Sequence, residues 1–364
     1  MKSSKIICSI LSILIILLFV GCSQQEPEKR DIKAEPINMA AIVQEIGKTR
    51  LPKGYYFSEL TGLPISTDIQ NHRPIAVCID NEIIAWDHYG TAEADIIYEM
   101  MNNTHNGRIT RFLAFYKDYD QIPQIGNVRS SRPSHYPIMA EYNAFLCHDG
   151  GPKYVKDFYG KDYAKQRFNG IFSRVPNGKN YEYTEYILAG EITSLIESRG
   201  YSPDYNECAP ERDSHFLFVE YLTETDLSQY DSRIQALRVD LPFPHNQSEL
   251  RYNAETGTYD YYGYGKLHRD ADDKEVLTFK NVLLQDATFF VYDDHGYMRY
   301  NEVDSGRSGW YITNGYAIPV TWSKTSEKGI TKFYDLNGNE ILLNRGKTYV
   351  GVIPSDGWSG VVIE

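Results

Sequence analysis

Apolar and polar positions divide the chain into two textures. Residues 73–80 (RPIAVCID) form a short, nearly all-apolar run, as expected of a strand buried on both faces. Residues 95–101 (DIIYEMM) and 109–116 (ITRFLAFY) read as further strands, and 143–147 as another buried one. Residues 131–143 (SRPSHYPIMAEYN) fit a helix with Pro133 near its first position, where a missing N–H costs nothing. Pro152 followed by KYVKDFY predicts a second helix. Residues 182–199 predict a third, with Ile187, Leu188, Ile192, Leu195 and Ile196 close to helical spacing and Gly200 as its stop. From about residue 214 the runs become short and β-like, separated by Gly, Asn and Asp. Leu336-Asn337-Gly338-Asn339 is a hairpin signal, and the Tyr-rich 259–264 (YDYYGY) fits cross-strand packing better than a sugar-stacking surface. The expected fold class is α+β. An N-terminal α/β-type domain with a mixed sheet spans 56–225, and a β-rich C-terminal domain spans 235–364.

The N-terminus follows a different logic. Lys2 and Lys5 precede an almost wholly apolar stretch, 6–20, that ends in Phe19-Val20-Gly21-Cys22. This is short for a spanning helix and fits a signal peptide over 1–21. A small residue before Cys22 resembles a bacterial lipobox, in which Cys22 is lipidated and becomes the mature N-terminus. Residues 22–55 then form a polar tether, with one short helix around 39–46.

Composition narrows the function classes. With 24% charged and 42% hydrophobic residues, the 364-residue chain is globular rather than disordered. Its net charge of -12 excludes a basic nucleic-acid-binding face, and loss of Lys2 and Lys5 with the signal takes the mature charge to -14. Membrane attachment therefore rests on acyl chains at Cys22, not on a basic patch. Cys78, Cys147 and Cys208 remain after Cys8 and Cys22 are assigned to the signal and anchor. They read as buried thiols, with a Cys78–Cys147 pair on neighbouring strands left open. No Cys-x-x-Cys or Cys/His spacing calls for a metal, and nothing calls for a cofactor.

Chemistry is densest over 126–151 (GNVRSSRPSHYPIMAEYNAFLCHDGG). Arg129 and Arg132 flank Ser130 and Ser131 just before a predicted helix, whose start attracts anions. His148-Asp149-Gly150-Gly151 links a strand to the next helix, and two glycines let the backbone approach a ligand closely. If both loops lie at one edge of the sheet, they converge on one anion-binding crevice. Asp80-Asn81 and Glu99 supply acids that could face it. Asp80, Glu99 and His148 are the candidates for acid/base work. Each feature also has an ordinary structural reading, as a cap, an ion pair or a turn.

The motifs RPIAVCIDN, ADIIYE, ITRFLAFY, IGNVRSSRP and EYNAFLCHDGG, followed by GYAIPVTWSK and FYDLNGNEILLNRGKTYVGVIP, resemble the YerB-like lipoprotein family. Its members are built from two domains of unknown function and occur in Gram-positive-type bacteria. The resemblance runs from about 58 to 358 and implies envelope location and a two-domain layout, without an activity. It marks Asp80, Asn81, Asp95, Glu99, Arg111, Arg129, Ser130, Arg132, Gly150 and Gly151. The chain departs from the family at Glu82-Ile83, Asp87-His88, Cys147 and Lys179, where His, Pro or Gln is usual. The expectation is a lipid-anchored extracytoplasmic binder of an anionic cell-wall polymer or an envelope protein. The alternative is an envelope hydrolase or transferase acting on a phosphodiester or glycan.

Overall fold

The structure, a computed structural model, describes residues 51–210 and 215–364. The signal peptide, Cys22 and the tether up to residue 50 lie outside the described residues. The described chain is sheet-rich with few helices.

Its centre is an eleven-stranded mixed sheet. In chain order its strands are β1 (Ile75–Asp80), β2 (Ile96–Met101), β3 (Thr110–Tyr116), β4 (Phe145–His148), β5 (Arg167–Asn169), β6 (Ile234–Gln235), β7 (Asn281–Ala287), β8 (Arg307–Thr313), β9 (Tyr316–Ser323), β10 (Lys332–Tyr334) and β11 (Thr348–Pro354). Across the sheet they run β6-β9-β8-β7-β11-β2-β3-β1-β4-β5, with β10 beside β9. The two textures of the sequence therefore share one sheet. They join where β11 lies parallel to β2, with Thr348 opposite Ile96.

Every residue of β1, β2, β3 and β11 is buried, which explains their unbroken apolar runs. Alternate side chains enter two different layers. On one face Ala76, Cys78, Tyr98, Leu113 and Phe115 pack with Tyr136, Met139 and Ala140 of α1 (His135–Glu141). On the other, Ile75, Val77, Ile97, Phe112 and Ala114 pack against Tyr259, Tyr261 and Phe279 of a six-stranded sheet, and against Ile192 and Ile196 of α2 (Glu191–Ser198). Each Phe or Ile so buried stabilises the fold by about 1.5–3 kcal/mol relative to exposure.

Two helix expectations change in detail, and the open cysteine question closes. The predicted helix over 182–199 divides into a strand, Glu185–Leu188, and α2. Gly190, at φ 75°, ends the extended segment, and the strand is satisfied by pairing with Gln124–Gly126 and Ser173–Arg174. The segment after Pro152 closes only as a 3-10 helix, Lys153–Phe158. Cys78, Cys147 and Cys208 are free and buried. Val77 is the register partner of Cys147, so Cys78, one residue on, points to the opposite face.

Candidate functional site

Asp80 ends β1 directly opposite Arg111 of β3. The segment 128–131 runs alongside: Arg129 N–H donates to Cys78 O at 2.8 Å, Asp149 N–H to Arg129 O at 3.0 Å and Ser131 N–H to Gly150 O at 3.1 Å. These main-chain bonds bring the Arg129–Arg132 and His148–Gly151 loops together at one sheet edge. Ser130 Oγ seals the join by donating to Asp149 O at 2.7 Å. The two glycines serve different needs. Gly150 has φ 73°, and its N–H is held by Asn169 Oδ1 at 2.8 Å. A Cβ on Gly151 would stand 2.9 Å from Val155 Cγ2 and 3.1 Å from Ser131 Oγ.

The three guanidinium groups have unequal surroundings. Asp80 Oδ2 accepts from Arg129 Nε at 2.8 Å and from Arg111 Nη2 at 3.2 Å. Arg129 Nη2 also pairs with Glu182 Oε2 at 2.8 Å, and its guanidinium lies 4.8 Å from the Tyr183 ring centroid. Burial alone would raise the Asp80 carboxyl, but the two guanidinium groups outweigh it and hold its pKa below the usual range. Arg132 has no such partner. Its Nε donates to Asn102 O at 3.2 Å and its Nη1 to Ser131 O at 2.9 Å and Ser130 O at 3.4 Å. Among the described residues no carboxylate pairs with it. Burial, and then the nearby Arg111 charge, push its pKa down to about 9.

Behind these groups sit two buried histidines. His148 Nδ1 bonds Gly150 O at 2.8 Å, which fixes the proton on Nδ1, and burial lowers its pKa to about 4. His135 Nδ1 accepts from Arg132 N–H at 3.1 Å, which places its proton on Nε2. His148 Nε2, His135 Nε2 and Arg111 Nε are buried without a hydrogen-bond partner. α1 has only seven residues, so its start adds little to an anion site. The positive character comes from side chains.

Asn81 and Glu99 turn the other way. Glu99 is fully buried between the two sheets. Its Oε1 accepts from Asn81 Nδ2 at 3.1 Å, Thr110 Oγ1 at 2.6 Å and Ser248 Oγ at 2.6 Å. Its Oε2 accepts from the hydroxyls of Tyr261 at 2.9 Å and Tyr349 at 2.7 Å. Burial raises its pKa against the pull of these donors. Asp80 and His148 are therefore brought to the loop edge, and Glu99 is not. Glu182, Tyr183 and Tyr297, whose ring lies 5.6 Å from Arg132, were invisible to local pattern, since nothing links position 129 to 182 or 132 to 297. Among the described residues no three His, Cys, Asp or Glu side chains are grouped to hold a metal ion.

The two consecutive segments that share this sheet each match a family model. The N-terminal domain of the protein of unknown function DUF3048 matches residues 60–202, and the C-terminal domain of that family matches 239–350. The chain belongs to the DUF3048 family. It is similar to the "Putative lipoprotein YerB" of Bacillus subtilis (strain 168), with 23% identity over 376 residues, covering 97% of this chain and 96% of the relative. The crystal structure of the Bacillus subtilis YerB protein superposes with a TM-score of 0.69 at 22% identity, covering 85% of this chain and 99% of that one. That likeness speaks to fold alone. Among the described residues no helix is long and apolar enough to cross a membrane.

Proposed function

We propose that the chain is a lipid-anchored protein on the extracytoplasmic face of the bacterial membrane, binding an anionic envelope ligand at Arg132. The observation that carries this reading is the unpaired guanidinium. Arg132 is partly exposed, spends its Nε and Nη1 donors on main-chain carbonyls, and leaves Nη2 without a protein partner among the described residues. A charged donor in a partly desolvated site favours an anion more strongly than one in open water. Asp80, Arg111 and Arg129 form the neutralised frame behind it, and Ser130, Gly150 and Gly151 hold the two loops together. The hydrolase or transferase reading has no comparable support, because Glu99 and Asp80 occupy opposite faces of the sheet.

Titration of the mature chain with inorganic phosphate tests the site. Arg132→Ala should weaken binding about tenfold, the scale of one charge-assisted hydrogen bond. Equal affinity in the variant would overturn the assignment. For the anchor, a radiolabelled fatty acid fed to cells should label the native chain and not Cys22→Ala, and equal labelling of the two would overturn it.

A further inference from the structure

Arg132 stands at the end of a row of aromatic rings. Its guanidinium lies 5.6 Å from the Tyr297 ring centroid, Tyr297 lies 6.3 Å from Tyr154, Tyr154 stacks on Tyr292 at 4.0 Å and 11°, and Phe290 meets Tyr292 edge-on at 5.0 Å. Tyr154, Tyr292 and Tyr297 are partly exposed, and Phe290 is 43% exposed. Two separate parts of the chain build the row, the 3-10 helix Lys153–Phe158 and the hairpin Phe289–Val291/Met298–Tyr300.

The hairpin tip is held in place rather than loose. Gly296, at φ 79°, lets the backbone press against the 103–105 loop, where a Cβ would stand 2.5 Å from Asn103 Oδ1 and 2.7 Å from Thr104 Oγ1. Thr104 N–H donates to Gly296 O at 3.0 Å and Asn103 Nδ2 to His295 O at 2.9 Å. Tyr154 OH donates to Asp293 Oδ2 at 2.8 Å, tying the two elements together. Rings fixed in advance lose little entropy on binding.

We infer that this row and Arg132 form one subsite for an acidic glycan, whose sugar rings lie on Tyr292 and Phe290 and whose acid group pairs with Arg132. The inference rests on the anion-binding reading above and names its ligand class. Aromatic rings carry a negative face that suits the weakly positive C–H face of a pyranose, while the tyrosine hydroxyls and the Asp293 carboxylate at the rim suit sugar hydroxyls. A purely apolar partner would leave Arg132 unpaired, and a ring-free anion would leave the aromatic row unused.

The test compares three probes on the mature chain: a β-linked N-acetylglucosamine–N-acetylmuramic acid oligosaccharide, neutral chitin tetramer and polyglycerol phosphate. The acidic oligosaccharide should bind most tightly. Tyr292→Ala and Phe290→Ala should each weaken it about tenfold while leaving inorganic phosphate affinity unchanged. Phe290 belongs to neither buried core layer, so its truncation removes contact surface without opening the core. Oligosaccharide affinity unchanged in both variants, or polyglycerol phosphate bound as tightly as the oligosaccharide, overturns the glycan subsite and leaves the anion site standing. Phosphate affinity unchanged in Arg132→Ala overturns both.

Discussion

Asp80 and Arg111 face one another across adjacent strands, and Asp80 Oδ2 serves both Arg111 at 3.2 Å and Arg129 at 2.8 Å. Asp80 is the carboxylate partner of Arg111 and one of two for Arg129, which also reaches Glu182, and both Asp80 and Arg111 are nearly removed from solvent.

Asp80→Asn should therefore do two opposite things. Leaving buried Arg111 without its carboxylate, and Arg129 with Glu182 alone, should destabilise the fold by about 3–5 kcal/mol in urea unfolding. The same change raises the local positive charge, so phosphate affinity should rise while stability falls. Unchanged stability would show that the pair is not the electrostatic support described.

The His88–His268 contact predicts a pH dependence. The rings stack at 5.0 Å, His88 Nδ1 lies 2.8 Å from His268 Nε2, and His88 Nε2 bonds Asp80 O at 2.6 Å. Burial lowers the His88 pKa from 6.5 to about 4, with the nearby Lys179 charge acting in the same direction and Asp80 opposing it. The unfolded chain binds the proton more readily, so this contribution is complete above pH 6.5 and declines as pH falls towards 4. Asp95, raised to about 7 by burial, gains stability over an overlapping range, so total stability is not diagnostic. The advantage of the native chain over His88→Gln should shrink by ~3 kcal/mol between pH 6.5 and 4. A growing advantage would mean that His88 is charged when folded.

Glu99→Gln tests the junction between the sheets. Exchanging one acceptor oxygen for an amide forces some of the five surrounding donors to lose their acceptor, at a cost of about 1–3 kcal/mol. Phosphate affinity should not change, because the site lies on the other face. Lost binding in a folded Glu99→Gln protein would contradict that separation.

The thiols should be silent in the native protein. Cys78, Cys147 and Cys208 are buried, and burial pushes the Cys78 thiol up to about 12. A thiol-reactive probe should label none of the three until denaturant is added, and then all three. Rapid native labelling of Cys78 would overturn its placement.

The central strands were legible because burial on both faces leaves a continuous apolar run, as in β1 and β3. Their neighbours were not, since nothing in residues 348–354 announces that they lie beside β2. The Arg129–Arg132 and Gly150–Gly151 loops could be placed at one edge because each follows a predicted strand. Which arginine keeps its charge free could not be read, because it depends on Glu182 and Asp80 reaching Arg129 while, among the described residues, no acid reaches Arg132. Around residues 182–199 helical spacing misled: the same apolar positions also suit a paired strand followed by a helix, and Gly190 decides between them.

The parallel contact between β2 and β11 also sets a timetable for biosynthesis. As the chain emerges N-terminus first, the apolar strand β2 can pair with β3 early, but its other backbone edge waits for residues about 250 positions later. At about 5–20 residues per second the wait is of order 10–50 s. Throughout it the nascent chain displays a template for pairing with any neighbouring polypeptide. Chaperone protection should therefore be needed until β11 has emerged, and premature stop codons before it should yield aggregates rather than a functional N-terminal half.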